Sequence, residues 1–146
     1  EMLRPYFKAE NVINGIFKVA NKMYGIKFEE LNDVDTWHEE VKCYKVINYD
    51  KSFVGLIYID LHPRPTKRSG AWMNSIKDNG LYKGNIRRPH VQFTANLTRS
   101  TKEKPALLTF GEVETVFHEF GHCLHGLLSD CKYSTIGNTK FRSQYP

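Results

Sequence analysis

The sequence predicts an α+β fold in which a small antiparallel sheet packs beside one long helix. Two observations predict it. Apolar residues recur every three or four positions in two separate segments, and β-branched and aromatic residues are concentrated in two neighbouring runs between them. The chain has 146 residues, of which 40% are hydrophobic and 25% charged. Length and composition taken alone are typical of one ordinary globular domain.

The first half of the chain predicts one long helix, one short helix and a hairpin. Apolar residues at helical spacing predict a helix over residues 9–24, which Gly25 ends. Asp35 is placed to cap a short helix that runs through Trp37 to Val41. Residues 42–49 and 53–60 are rich in β-branched and aromatic side chains, and we expect them to pair as a β-hairpin.

The second half predicts a loop, a strand and the long helix. Two prolines, three Arg or Lys residues and a histidine indicate a loop over residues 62–70, and a strand is expected over residues 90–97. Residues 100–105 form a polar connection. The long helix covers about residues 111–129 and begins at Thr109 or Gly111, with Glu112 and Glu114 in its first turns, where the helix dipole favours negative charge.

Residues 118–122 read His-Glu-Phe-Gly-His, an H-E-x-x-H motif inside this helix. Two histidines four residues apart lie about one turn apart on one helix face, so their imidazoles can meet one metal ion. Neutral nitrogen ligands suit Zn²⁺. The adjacent Glu119 can take a proton from water that zinc has acidified as this water attacks a polarised carbonyl. The motif predicts His118 and His122 as metal ligands and Glu119 as the general base.

On a helical wheel, His122 and His125 fall within a narrow arc beside His118. We expect the opposite side to be buried, and it holds Val113, Phe117, Phe120, Leu124, Leu127 and Leu128. The pattern leaves two roles open for His125: a ligand to the ion, or a side chain that lines the cleft without reaching it. The only other His-Glu pair, His38-Glu39, has no histidine at position 42, and we expect no metal there. His62 and His90 also lack partners at ligand spacing.

Residues 117–125, Phe-His-Glu-Phe-Gly-His-Cys-Leu-His, resemble the signature of the thimet oligopeptidase family of zinc peptidases, family M3. Several upstream segments fit the same family: residues 15–17, 24–26, 37–41 and 57–61, then Arg64, residues 67–72, and residues 105–108. Within the family, the bacterial dipeptidyl carboxypeptidases are most similar in character and the oligopeptidase A branch comes next.

This resemblance implies soluble, mostly cytoplasmic enzymes, either peptidyl-dipeptidases or oligopeptidases. They cut short peptides inside a deep channel between two largely helical halves. It implies one zinc per intact site, held by His118 and His122, with Glu119 as the base. It also implies that a strand near residues 90–97 lies alongside the substrate and lends it backbone hydrogen bonds. The three scattered cysteines fit a reducing compartment.

The family takes its third zinc ligand from a Glu on the helix after the motif. Residues 137–146 supply no carboxylate there, and Asp130 is too near the motif and on the wrong face. We therefore interpret residues 1–146 as a partial catalytic domain. It would be the zinc-helix core, zincin-like, of a larger and mostly helical peptidase whose carboxyl-terminal remainder is absent. By itself the chain is expected to bind zinc weakly or not at all.

Positive charge is concentrated in the middle of the chain and supports an alternative function. Residues 61–105 contain ten basic residues and two acidic ones, and the whole chain has a net charge of +5. The alternative is a non-catalytic binding module that uses residues 64–104 for anionic partners. No nucleic-acid-binding motif accompanies the charge. The resemblance implies short peptides as partners, and we expect neither nucleic acid nor a membrane. Arg64 or Lys67 is a candidate to recognise the terminal carboxylate of a peptide. The oligomeric state is left open.

Overall fold

The computed structural model describes residues 3–101 and 105–133. Residues 134–146, which include the segment 137–146 compared above with the family's third-ligand region, lie outside the described part of the chain, as do residues 102–104 of the polar connection. A 3-10 turn (Arg4–Tyr6) precedes a mixed α/β arrangement of two helices and seven strands within the described residues. These are helix α1 (Ala9–Tyr24), strands β1 (Lys27–Leu31), β2 (Lys42–Ile47), β3 (Phe53–Asp60), β4 (Trp72–Lys77), β5 (Gly80–Tyr82), β6 (Asn85–Arg87) and β7 (His90–Thr94), and helix α2 (Phe110–Leu128).

Five of the strands form one sheet in the order β1-β2-β3-β7-β4, and β5 pairs with β6 as a separate hairpin. The predicted hairpin of β2 and β3 is confirmed. The prediction of a wholly antiparallel sheet is wrong at one pair, because β3 and β7 run parallel. The long segment between them holds β4, β5 and β6, and it gives the chain room for the crossover that a parallel pair requires.

Helix α2 packs against β3, β7 and β4 and meets α1 at one aromatic contact. The Phe120 ring lies 6.0 Å from Phe17 of α1 and 5.8 Å from Phe28 of β1, measured between ring centroids. Phe17 and Phe28 stack on each other at 4.2 Å. These rings join the two helices and the sheet into one hydrophobic core.

The buried side of α2 differs in part from the predicted one. Its buried residues are Val113, Val116, Phe120, Cys123 and Leu127. Phe117, expected in the core, is 43% exposed, and Leu124 and Leu128 are only partly buried. The buried arc is centred directly opposite His118, where Val116 and Cys123 lie, and this displaces Phe117 to the border with solvent.

The short helix expected from Asp35 to Val41 is wrong. This segment forms bends and a turn that is closed by a hydrogen bond from Val41 N to His38 O. The Trp37 indole Nε1 donates to the Asp60 Oδ2 at 3.0 Å and thereby ties the segment to the end of β3. A helix of so few residues is marginal without tertiary support, and here a side-chain anchor decides the conformation instead.

The structure also describes the cysteines and the apolar character of the helices. The three cysteines, Cys43, Cys123 and Cys131, are free. None of the helices in the described ranges is both long and apolar enough to cross a membrane.

Candidate metal centre

The helix that presents the motif begins at a well-formed cap. Thr109 is the N-cap residue, and its Oγ1 accepts a hydrogen bond from Glu112 N at 3.2 Å. In return the Glu112 carboxylate accepts from Thr109 N at 2.7 Å. This capping box satisfies two backbone groups that a helix start otherwise leaves without partners. Of the two predicted starting residues, Thr109 is therefore the one confirmed.

His118 and His122 lie side by side on the exposed face of α2, as the spacing predicts. Their Nε2 atoms are 3.1 Å apart, and the two ring centroids are separated by 4.8 Å at an interplanar angle of 80°. When one ring carries a proton on Nε2, it donates to the other. When both are bare, two lone-pair nitrogens face one small volume at the helix surface.

That separation fits the donor set of a zinc site. Two imidazole nitrogens bound at about 2.0–2.1 Å to a tetrahedral zinc lie about 3.3 Å from each other, close to the observed 3.1 Å. The surface beside them is open, because a Cβ built on Gly121 meets no atom within 4 Å. His118 and His122 thus suit two of the ligand positions of a tetrahedral site.

A third ligand is not found among residues 3–101 and 105–133, where no group of three or more His, Cys, Asp or Glu side chains could hold a metal ion. His125 is exposed on the same helix one turn beyond His122 and does not join the pair. Asp130 is also exposed and stands apart.

Glu119 is half-buried at the edge of an open depression that His118 shares. Glu114 and Thr115, one turn nearer the start of the helix, line the same depression. The sequence signal for Glu114 is its spacing, because a residue four positions before His118 lies on the same helix face. On the opposite side of the helix, burial raises the pKa of the Cys123 thiol, and the Glu119 charge adds to this effect.

Close packing beneath the carboxyl-terminal end of α2 fixes the helix on the sheet. A Cβ built on Gly126 would lie 2.7 Å from the Met73 Cε of β4 and 3.0 Å from the Val91 Cγ1 of β7. Because glycine has no Cβ, the helix backbone can approach these two side chains closely. Helix α2 thereby lies against the sheet with β4 next to it.

The other three histidines, His38, His62 and His90, lie outside helix α2. The His38 Nδ1 accepts a hydrogen bond from Glu40 N at 3.2 Å, and the His62 Nδ1 lies 3.3 Å from Leu97 O. His90 is half-buried in β7, where burial and the nearby positive charges of Lys77 and Arg87 lower its pKa. None of the three lies with the pair on α2.

Two cations proposed as carboxylate receptors are engaged inside the protein. Asp60, 1% exposed at the end of β3, accepts two hydrogen bonds of 2.8 Å from the Arg64 guanidinium and one of 2.9 Å from the Lys67 Nζ. The Lys67 side chain is itself 3% exposed. Both side chains bind the buried Asp60 carboxylate, so the expectation that either recognises a terminal carboxylate is wrong.

The basic stretch as a whole is less free than its composition indicates. The Arg99 guanidinium makes two hydrogen bonds, of 2.8 and 2.7 Å, with the Glu40 carboxylate. Arg64, Lys67 and Arg99 thus have internal partners, whereas Lys102 and Lys104 lie outside the described residues. Binding of anionic partners by this region stays a prediction for the remaining cations.

The strand near residues 90–97 was expected to lie alongside a substrate, and the sheet pairing excludes this. Strand β7 is paired on both sides, with β3 and with β4, so it has no free edge for a peptide. Strand β4 is the terminal strand of the sheet formed by the described residues. This end of the sheet lies beside α2.

The chain's sequence matches the model of peptidase family M3 over residues 1–144, and the chain belongs to that family. Oligopeptidase A of Salmonella typhimurium is 42% identical over 130 residues, which are 88% of this chain and 19% of the relative. Dipeptidyl carboxypeptidase of Escherichia coli is 36% identical over 138 residues, 94% of this chain and 20% of the relative. A thimet-like oligopeptidase of Dictyostelium discoideum is 36% identical over 148 aligned residues, 99% of this chain and 22% of the relative.

The chain therefore spans about a fifth of the length of these relatives. The oligopeptidase A matches at higher identity than the dipeptidyl carboxypeptidase, the reverse of the order that the resemblance implied. The cytoplasmic location stays a prediction.

Proposed function

We propose that this chain is part of the catalytic domain of a zinc-dependent peptidase that hydrolyses peptide bonds in short peptides. One observation carries the proposal: the Nε2 atoms of His118 and His122 converge at 3.1 Å on an exposed helix face, and Glu119 lines the same open depression as His118. Family membership and the names of the peptidase relatives support it.

In this proposal each motif residue has one role. His118 and His122 hold the zinc, and a third ligand comes from outside the described residues. Zinc, when bound, supplies a Lewis acid that polarises the scissile carbonyl. Glu119 takes the proton of the attacking water and delivers it to the departing amine. Glu119 is half-buried on a helix that packs against β3, β4 and β7, so its backbone has a defined place next to the histidine pair for both transfers.

The substrate lies along β4. A peptide in extended conformation can add to a sheet edge through main-chain hydrogen bonds, and such binding does not depend on one particular side chain. The edge position of β4 and its contact with α2 support this placement. It replaces the strand near residues 90–97 as the element that orients the peptide next to the histidine face.

The proposal is tested by Glu119→Gln in the complete peptidase that contains this chain. The amide has nearly the same shape but cannot accept the proton, so kcat falls by about 10²–10⁴-fold. Zinc content, measured by atomic spectrometry, stays near that of the wild type. Glu39→Gln is the matched control, because Glu39 follows the other histidine, His38, and is exposed. Full peptide hydrolysis by the Glu119→Gln enzyme would contradict the mechanism.

A further inference from the structure

The loop of residues 61–70, which joins β3 to β4, contains three long cations, and two of them are committed internally. The Arg64 guanidinium and the Lys67 Nζ both bind the Asp60 carboxylate. Lys67 also donates to the carbonyl oxygens of Asp60, His62 and Ala95. The loop is thereby pinned to the ends of β3 and β7.

Arg68, the third cation, is placed differently. It is exposed, and its guanidinium carbon lies 5.9 Å from the centroid of the Trp72 ring. The guanidinium makes no hydrogen bond or ion pair with another residue of the described ranges. Arginine on an aromatic face keeps its N–H groups directed outward, where they can form the two-pronged contact that a carboxylate accepts.

The backbone beneath Arg68 is firmly held. The Asn96 Nδ2 donates to Arg68 O at 2.8 Å and to Gly70 O at 2.7 Å. The preceding residue, Lys67, is buried with four acceptors. The guanidinium therefore projects from a fixed base rather than from a free loop, which reduces the entropy lost when it captures an anion.

Trp72, whose ring centroid lies 5.9 Å from the Arg68 guanidinium carbon, is the first residue of the edge strand β4. A peptide that pairs antiparallel to β4 runs in the opposite direction, so its carboxyl end arrives next to Trp72. Antiparallel pairing is also slightly more stable per residue than parallel pairing. From this geometry we infer that Arg68 binds the carboxyl-terminal carboxylate of a peptide seated on β4. The inference rests on the proposed function and makes peptides with a free carboxyl end the preferred substrates.

Binding is measured in the complete peptidase carrying Glu119→Gln, so that the peptide is not consumed. Isothermal titration compares one short neutral peptide with a free carboxyl end against the same peptide as an amide. We expect the free acid to bind about tenfold more tightly, the size typical of a hydrogen-bonded charge pair. Arg68→Met should remove this preference by weakening the acid alone, and Arg68→Lys, which keeps the charge, should restore part of it.

Arg88→Met is the matched control, because Arg88 is an exposed cation that follows β6, away from the start of β4, and its loss should leave the preference unchanged. Equal binding of acid and amide in the Glu119→Gln enzyme would overturn the assignment of Arg68. So would a preference that survives Arg68→Met. Failure of the wild-type enzyme to hydrolyse either peptide would instead refute the proposed function, so the two failures are distinguishable.

Discussion

Replacement of Lys67 by methionine should destabilise the fold by about 3 kcal/mol. The Lys67 side chain is 3% exposed, and its Nζ donates to Asp60 Oδ1 and O at 2.9 Å, to His62 O at 2.8 Å and to Ala95 O at 2.5 Å. Methionine fills a similar volume without any donor. The change leaves a buried carboxylate and three carbonyl groups short of a partner.

The size of the effect follows from what remains around Asp60. Removing one partner of a buried ion pair typically costs about 3–5 kcal/mol. Arg64 and Trp37 still donate to Asp60, which favours the lower end of that range. Burial also lowers the pKa of the Lys67 ammonium, which means that keeping this charge in the folded protein costs free energy. Methionine is uncharged, so the substitution removes that cost. Both considerations bring the estimate to about 3 kcal/mol.

Urea unfolding of the chain, followed by far-UV circular dichroism, measures this difference. Lys42→Met is the matched control: its Nζ lies 2.9 Å from the Glu30 Oε1, but the two side chains are 59% and 41% exposed. An exposed pair contributes under about 1 kcal/mol. Equal losses in Lys42→Met and Lys67→Met would refute the claim that the buried network fixes the end of β3.

The hydrogen bonds around Asp60 should also make the free energy of unfolding depend on pH. Burial would raise the pKa of the Asp60 carboxyl, but hydrogen bonds from Arg64, Lys67 and Trp37 outweigh it and hold the pKa well below its usual range. The folded state therefore binds this proton less readily than the unfolded chain does. The stabilisation is present above the unfolded pKa of about 4 and is lost as pH falls below that value. The difference in the free energy of unfolding between wild type and Lys67→Met should become smaller over the same pH range. A difference that stays constant with pH would contradict this.

Three further predictions concern other parts of the chain. Hydrogen bonding to Arg99 lowers the pKa of Glu40 to about 2, and NMR titration of Arg99→Met should show it returning toward about 4.3; an unchanged value would exclude this pair as the cause. Gly121→Ala should stabilise the helix by up to about 1 kcal/mol, since its Cβ meets open space. Gly126→Ala should not share this gain, because the Met73 Cε at 2.7 Å and the Val91 Cγ1 at 3.0 Å must both move to admit its Cβ; an equal gain in thermal stability for both variants would speak against this packing. The 146-residue chain alone should hold far less than one zinc and hydrolyse no peptide, and stoichiometric zinc with robust hydrolysis would reveal a third ligand within it.

The helices were predictable because their pattern is local. The apolar spacing of α1 and the cap of α2 at Thr109 each depend only on residues that are close together in the sequence. The structure confirms both helices. The pairing of β2 with β3 is local in the same sense, since a short turn joins two runs of β-branched and aromatic residues.

Strands that depend on distant partners were not predictable in the same way. Strand β1, Lys-Phe-Glu-Glu-Leu, has three charged residues of five and is a strand only because β2 lies beside it. Strand β4 follows the cationic loop directly and pairs with β7, which comes later in the chain. The parallel pairing of β3 and β7 is likewise a tertiary choice that no local pattern encodes.

At the site, the sequence identified the histidine pair and its exposed face but not the role of Asp60. The signal was present: an acid ends a largely apolar strand, and cations follow at four and seven positions beyond it. What the pattern could not reveal is that Asp60 would be buried, since burial depends on how Trp37 and Ala95 close over the strand end. Burial is what turns two apparent receptors for a ligand into internal ion-pair partners.

Zinc content per polypeptide in the complete peptidase tests the central claim most directly. The account predicts one zinc in the wild type, in Glu119→Gln and in the control His38→Ala. It predicts far less than one in His118→Ala and in His122→Ala, because each loses one of the two nitrogens that lie 3.1 Å apart. Full zinc occupancy in both of these variants would contradict the assignment of the metal centre to helix α2.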